Sequence, residues 1–286
     1  MAALLAGAVL PLQAADAPAL ITLVEGAAPL LVEGARSLTA APGLKLNAAT
    51  IIDTTPATAL LRVEFADGSL LDLGPETRAM LLPPGLAGSG PRAPAFYLLQ
   101  GWAKHTVSGG AKAGGQLAFA AEVLQPSGVT VSRVSGDALQ LFVESGGLQL
   151  QERRLKPAST LNLKGGEFYE RDGADKGRIS PRPVPDFLKS VPRAFRDTIP
   201  PRAAQLKGRP PEPQAAPAPG YAGLKAWLTA EPVIRREFPR RFAQPAREPA
   251  FREALVKNLA AHPEWEPVLF PPKPASSPAS VLSPRS

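Results

Sequence analysis

Few side chains in this sequence have the type and spacing for chemistry. His105 and His262 are its two imidazoles, and it contains no cysteine, which excludes thiol nucleophiles, disulfides and cysteine-ligated metals. His262 precedes Pro263-Glu264-Trp265-Glu266, a grouping that could hold a metal or run acid–base catalysis; a lone histidine beside glutamates at a helix end is more often a cap or a surface feature. His105 stands at the mouth of a glycine loop and reads the same way. That loop, Ser108-Gly-Gly-Ala-Lys-Ala-Gly-Gly115, has a superficial phosphate-loop look but lacks the Gly-Lys-Ser/Thr ending that places a lysine and a magnesium-binding hydroxyl. Asp53, Asp67 and Asp72 are close in sequence without forming a flanking acid pair, and Ser69 has no matched base. The expectation is a non-enzymatic protein with no catalytic residue, no metal and no cofactor.

The arginines are more suggestive. Arg235, Arg236, Arg240, Arg241, Arg247 and Arg252 recur at helical spacing beside Trp227, Phe238 and Phe242, an arrangement able to contact phosphate or an anionic polymer. The competing reading is a solvated helix face with intrahelical partners such as Glu237 and Glu248. Charge points to the same region. Of the net +7, about +6 lies from Pro201 onward, where 13 Lys and Arg face 7 Glu.

These residues need a scaffold, and the best-specified element is Leu61 to Leu73, Leu-Arg-Val-Glu-Phe-Ala-Asp-Gly-Ser-Leu-Leu-Asp-Leu. A two-residue Asp67-Gly68 loop would set Val63 against Asp72 and mix the faces. A three-residue loop of Ala66, Asp67 and Gly68, with Gly68 left-handed, pairs Phe65 with Ser69, Val63 with Leu71 and Leu61 with Leu73 on one apolar face. Arg62 then opposes Asp72 on the other face, a cross-strand pair contributing about 0.2–1 kcal/mol. Asp67 and Gly68 have structural roles in this reading.

Short apolar segments punctuated by turns continue the β pattern: Leu20–Val24, Leu30–Val32 and Ile51-Ile52 before the hairpin. After a Pro- and Gly-rich loop from Pro83 to Pro94 come Phe96–Trp102, Leu117–Val123, Val129–Val134, Leu139–Val143, Leu148–Leu150 and Leu161–Leu163. Ser145-Gly146-Gly147 reads as a second hairpin turn. The fold class expected is mainly β, an antiparallel β-sandwich or β-roll followed by a small helical C-terminal region. The β domain should cover residues 20–175. A short helix near Asp186 to Thr198 and a Pro-rich linker fill 176–220, a basic helical region 221–270, and a disordered tail 271–286. Within 221–270, Ile234, Phe238 and Phe242, then Phe251, Leu255 and Leu259, form apolar stripes; Pro239 and Pro245 argue for short pieces.

At the N-terminus, Ala2 to Leu12 is apolar and is followed by small residues through Ala17, the pattern of a signal peptide over 1–17 with cleavage near 14–15. No Lys or Arg precedes Arg36, so the basic n-region is missing, which leaves the true start codon open. No later segment approaches the roughly 20 apolar residues needed to cross a bilayer as a helix.

Leu46-Asn-Ala-Ala-Thr-Ile-Ile-Asp-Thr54, Ala59-Leu-Leu-Arg-Val-Glu-Phe-Ala-Asp-Gly-Ser69 and Leu73-Gly-Pro-Glu-Thr77 resemble the FecR domain family, as do Phe96-Tyr-Leu-Leu-Gln-Gly101 and Phe142-Val-Glu-Ser-Gly146. The resemblance spans about residues 20–172, with Thr54, Phe65, Asp67, Gly68 and Ser69 as its structural motif. Ala49-Thr50 stands where Gly-Asp is usual. The resemblance implies an extracytoplasmic β-rich domain. The family's sigma-regulating members carry a cytoplasmic segment and a membrane span ahead of it, which are not found here, so that mechanism is not carried over. The expected protein is periplasmic or otherwise extracytoplasmic, with a binding, sensing or scaffolding role toward an envelope protein or anionic cell-wall polymer. The alternative is a nucleic-acid- or other polyanion-binding protein using its basic helices; export would make nucleic acid an unlikely partner.

Overall fold

Apolar side chains two residues apart turn to one face of a strand, and here two sets of strands turn such faces toward each other. The computed structural model describes residues 19–81, 83, 94–107, 116–119, 122–153, 155–206, 208 and 211–271. The signal-like run, the Ser108–Gly115 loop and the residues after Pro271 therefore lie outside the described residues, as does most of the loop after Pro83.

One sheet runs in the order β4 (Lys45–Leu46), β1 (Ala19–Gly26), β6 (Thr58–Glu64), β7 (Leu70–Leu73), β9 (Pro94–Thr106), β12 (Val129–Ser135), β13 (Ala138–Ser145), β16 (Phe168–Arg171) and β17 (Arg178–Ser180). The second runs β18 (Gln214–Ala215), β3 (Arg36–Thr39), β2 (Leu30–Glu33), β5 (Ile51–Asp53), β8 (Arg78–Leu81), β9, β10 (Gln116–Phe119), β11 (Glu122–Pro126), β14 (Gly147–Glu152) and β15 (Ser159–Lys164). Every pairing is antiparallel except β9 with β10. The mainly β, antiparallel class expected from the sequence is what the chain adopts, with short helices at its C-terminal end.

β9 belongs to both sheets. Its first half pairs with β8 and β10, and its second half, from Gly101, with β7 and β12. Gly101 has φ +94°, and a Cβ there would lie 2.4 Å from Thr77 Oγ1 and 2.7 Å from the Glu76 carbonyl, so only glycine fits this bend. Thr77 Oγ1 accepts from the Trp102 amide at 2.9 Å, and Thr54 Oγ1 accepts from the Thr77 amide and donates to the Gly74 carbonyl, both at 2.7 Å. Thr54 thus ties the bend together.

The hairpin closes as its faces dictate. Leu61 opposes Leu73, Val63 opposes Leu71, and the Phe65 amide donates to Ser69 O at 3.0 Å. Gly68 is left-handed at φ +81°, and Asp67 Oδ1 accepts from both the Ser69 amide and hydroxyl. The opposite face is not solvated. Arg62 and Asp72 meet in two hydrogen bonds, of 2.6 and 2.7 Å, and both residues are buried; removing one partner of such a buried pair costs about 3–5 kcal/mol, well above a surface pair.

What buries them is the segment after the β strands. α1 (Pro185–Ser190) and a 3₁₀ turn at Arg193–Arg196 lay Phe187 and Phe195 on Leu60, Trp102, Val131 and Phe168. Glu64 then accepts from the backbone amides of Arg202 and Ala203, and Lys104 Nζ donates to Phe195 O. The outer face of the second sheet is covered in turn. Val32, Ile51, Met80, Tyr97 and Ala118 pack under Leu224, Trp227, Ile234, Phe238, Phe242 and Trp265. Between these two coats the Pro-rich stretch read as a linker ahead of residue 221 contributes β18 at a sheet edge.

One expectation is overturned. Ser145-Gly146-Gly147 is not a hairpin turn: β13 pairs with β12 and β16 in one sheet, β14 with β11 and β15 in the other. Gly146, at φ +75° and with Ser127 O 2.3 Å from a would-be Cβ, carries the chain between sheets. Leu141 and Val143 therefore face Leu148 and Leu150 across the interior.

Candidate binding surface

The helical layer is assembled from short pieces: α2 (Tyr221–Leu228), α3 (Pro232–Arg235), α4 (Phe238–Arg241), α5 (Pro249–Lys257) and α6 (Glu266–Leu269), joined by 3₁₀ turns. Prolines occupy the first helical position of α3 and α5 and the second of α4 and α6, within the first turn, where no intrahelical bond needs the missing N–H. Pro239 and Pro245 thus start new pieces, and the apolar stripe stays on the sheet side: Ile234, Phe238, Phe242, Phe251 and Leu255 are all buried.

The six arginines do not form one patch. Arg241 reaches back to the sheet, its guanidinium donating to the carbonyls of Ala49 at 2.7 Å and Val32 at 2.6 Å; burial pushes its pKa down to about 10. Arg235 binds Glu264 at 2.9 Å and the Ala261 carbonyl at 2.7 Å. Arg252 donates to Leu269 O. These three bind the layer together. Arg236 and Arg247 are exposed with no partner among the described residues, and exposed Arg240 stands 3.6 Å from Glu237. Trp227 is fully buried against Tyr97, with Nε1 donating to Asp53 Oδ1 at 3.3 Å. Burial raises the Asp53 pKa, opposed by Arg78 and by this hydrogen bond.

Between α2 and α5 the layer leaves a groove of about 670 Å³, walled by Tyr221, Phe251, Pro219, Pro245 and a run of alanines that includes Ala222 and Ala254. The Tyr221 and Phe251 rings meet edge to face at 6.0 Å. Behind them the Tyr221 hydroxyl and His262 Nε2 are 3.1 Å apart, and His262 is fully buried; burial lowers its pKa. The exposed rim carries Gln244 and Glu248. Phe251, Pro245, Glu248 and His262 are noticeable in the sequence for other reasons, but the groove is not, because separate segments supply its walls and the 3.6-residue period reports only the buried side of each helix.

Elsewhere, polar residues are consumed in structural ties. Glu122 and Glu152 oppose each other across β11 and β14, both buried. Arg171 meets Glu122 at 2.8 Å, and the Tyr169 hydroxyl donates to Glu152 at 2.8 Å; burial and that bond raise the Tyr169 pKa. Their positions in register with Leu124, Leu148 and Leu150 were a readable sign of buried glutamates. His105 is buried beside Phe96. Among the described residues no group of three or more His, Asp or Glu could hold a metal ion.

No protein-family model and no curated protein matches the chain. Among solved structures, two crystal structures of a "putative anti-sigma factor" from Parabacteroides distasonis ATCC 8503 are similar at 15% and 14% identity, with TM-scores of 0.36 and 0.35. Each match covers 46% of this chain and 57% of that one, so the chain spans a little over half the length of these neighbours. Among the described residues no helix is long and apolar enough to cross a membrane.

Proposed function

We propose that this protein is a non-catalytic binding or scaffolding component of the bacterial envelope, exported by its N-terminal apolar run, that engages a protein partner through the groove of its helical layer. The observation that carries the reading is the open groove itself. Trp227, Phe238 and Phe242 are buried in the core shared with the sheet, while Tyr221 and Phe251 line a concavity edged by small residues, the form of a docking site with a few anchors. Ala254→Arg and Ala222→Arg fill it from positions outside the core. A tagged full-length protein should retain a specific envelope protein through washing, and either variant should lose it. Equal capture by the wild type and both variants overturns the groove as the site. A reporter fused to the chain and left wholly cytoplasmic, even with any upstream start restored, overturns the envelope assignment.

A second reading, binding of an anionic polymer, has Arg236, Arg240 and Arg247 in its favour. A contact made by these three exposed guanidiniums alone should give a fall of log K against log salt with a slope of about −3.

A further inference from the structure

We propose that a polar notch beside the β9 bend binds a small zwitterion, an amino acid or a dipeptide with both ends free, with its carboxylate on Arg133 and its ammonium on Glu76. The notch, of about 310 Å³, lies where β9 changes sheets and is lined by Glu76, Gln100, Gly101, Trp102, Arg133 and Ser135, among others. It is remote in sequence and in the fold from the helical groove, being on the first sheet's side of the bend.

Arg133 is held in place. Its guanidinium carbon sits 5.1 Å from the Trp102 ring centroid, a cation–π contact that orients the group while leaving its N–H edge free. No carboxylate pairs with it among the described residues. The backbone of exposed Glu76 is fixed in the left-handed region at φ +52°, with its amide donating to the Thr55 carbonyl. A non-glycine residue there is uncommon, and such strain clusters at ligand sites. The absence of a side chain at Gly101 keeps the chain from striking the Glu76 carbonyl.

The two charges line one notch, yet no ion pair joins them: none is formed by either residue within 4 Å among the described residues. A ligand carrying both an ammonium and a carboxylate satisfies both. A simple anion meets Glu76 and a simple cation meets Arg133, so each is disfavoured; specificity comes from the repulsive group as much as the attractive one. Gln100 and Ser135 supply neutral hydrogen-bonding groups on the rim. With so small a ligand and partly exposed charges, binding should be roughly millimolar.

The probe is alanyl-alanine added to the full chain, with N-acetyl-alanyl-alanine and alanyl-alanine amide as single-charge controls, read by the indole N–H resonance of Trp102. Trp227 and Trp265, buried in the helical layer, serve as internal references. Saturable movement of the Trp102 signal alone is expected with the dipeptide. Blocking either terminus, or replacing Arg133→Gln or Glu76→Gln, should weaken binding about tenfold or more, the scale of a lost charged hydrogen bond. Glu76→Gln leaves the Arg133–Trp102 contact in place, so its result stands even where Arg133→Gln alters the resonance by itself. No saturable shift, equal binding of either blocked peptide, or an unaffected Glu76→Gln variant overturns the proposal.

Discussion

His105 sets the acid sensitivity of the interior. Both of its ring nitrogens are buried without a hydrogen-bond partner among the described residues, and burial pushes its pKa from 6.5 down to about 4, opposed only by Asp67. The folded state therefore prefers the neutral ring. Between pH 6.5 and 4 the unfolded chain binds more protons than the folded one, so stability rises with pH across that window. The shift corresponds to about 3 kcal/mol, present above pH 6.5 and lost as pH falls toward 4. Urea titrations at pH 4.5 and 7 should show most of that difference in the wild type. In His105→Leu the difference between the two pH values should be smaller by about 2 kcal/mol or more, and an unchanged pH dependence would refute this origin. Local side-chain roles of this grain were legible where the partners are neighbours: Asp67 to Ser69 and Arg62 to Asp72 follow from turn chemistry and register. The arginine cluster was not legible in the same way. Arg241 finds its carbonyl acceptors about 200 positions earlier in the chain, and no spacing rule tells a guanidinium that docks on a distant sheet from one that faces water.

At the scale of elements, β9 is the piece on which both sheets depend. Gly101 lets one strand change sheets while Thr77 and Thr54 bond its flanks, so a methyl group there meets both a positive φ and backbone 2.5–2.7 Å away. Gly101→Ala should destabilise by roughly 2–4 kcal/mol, combining conformational strain with overpacking. A midpoint within error of wild type in denaturant would mean that the bend relaxes freely. Sequence patterning placed strands such as β1, β2, β12, β13 and β14 but marked none at β3, β8, β16 or β17, and it resolved the first hairpin because only one loop length gave clean faces. It misplaced the Ser145-Gly147 turn for an instructive reason. Alternating strands on either side of a glycine look the same whether they lie side by side in one sheet or face each other across a core. Only the partners decide: β13 pairs with its neighbour β12 and with β16, and β14 with its neighbour β15 and with β11, so no spacing across the glycine reveals the change of sheet. The groove was invisible for the complementary reason, being defined by what the helices leave unfilled.

For the whole molecule, the consequence of the two coats is that the sandwich does not end at its last long strand. One outer face lies beneath Phe187 and Phe195, the other beneath the helical layer, and polar anchors stitch both to the sheets through buried Glu64 and half-buried Lys104, Asp53 and Arg241. Large apolar patches left open on a soluble domain drive association. A chain ending at Pro183 uncovers Leu60, Val131 and Phe168 on one sheet and Ile51, Met80 and Tyr97 on the other. It should bind the dye ANS strongly and elute as aggregates, and the full chain should do neither. In the full chain, tryptophan fluorescence, weighted toward Trp227 and Trp265 in the helical layer, and far-UV circular dichroism, weighted toward the strands, should trace one urea transition with a common midpoint, the mark of a single cooperative unit. If fluorescence instead changes first and the truncated chain stays monomeric and dye-free, the helical layer is a detachable module. The partner groove would then sit on a unit able to leave the sandwich, whereas a shared transition fixes it rigidly to the β scaffold.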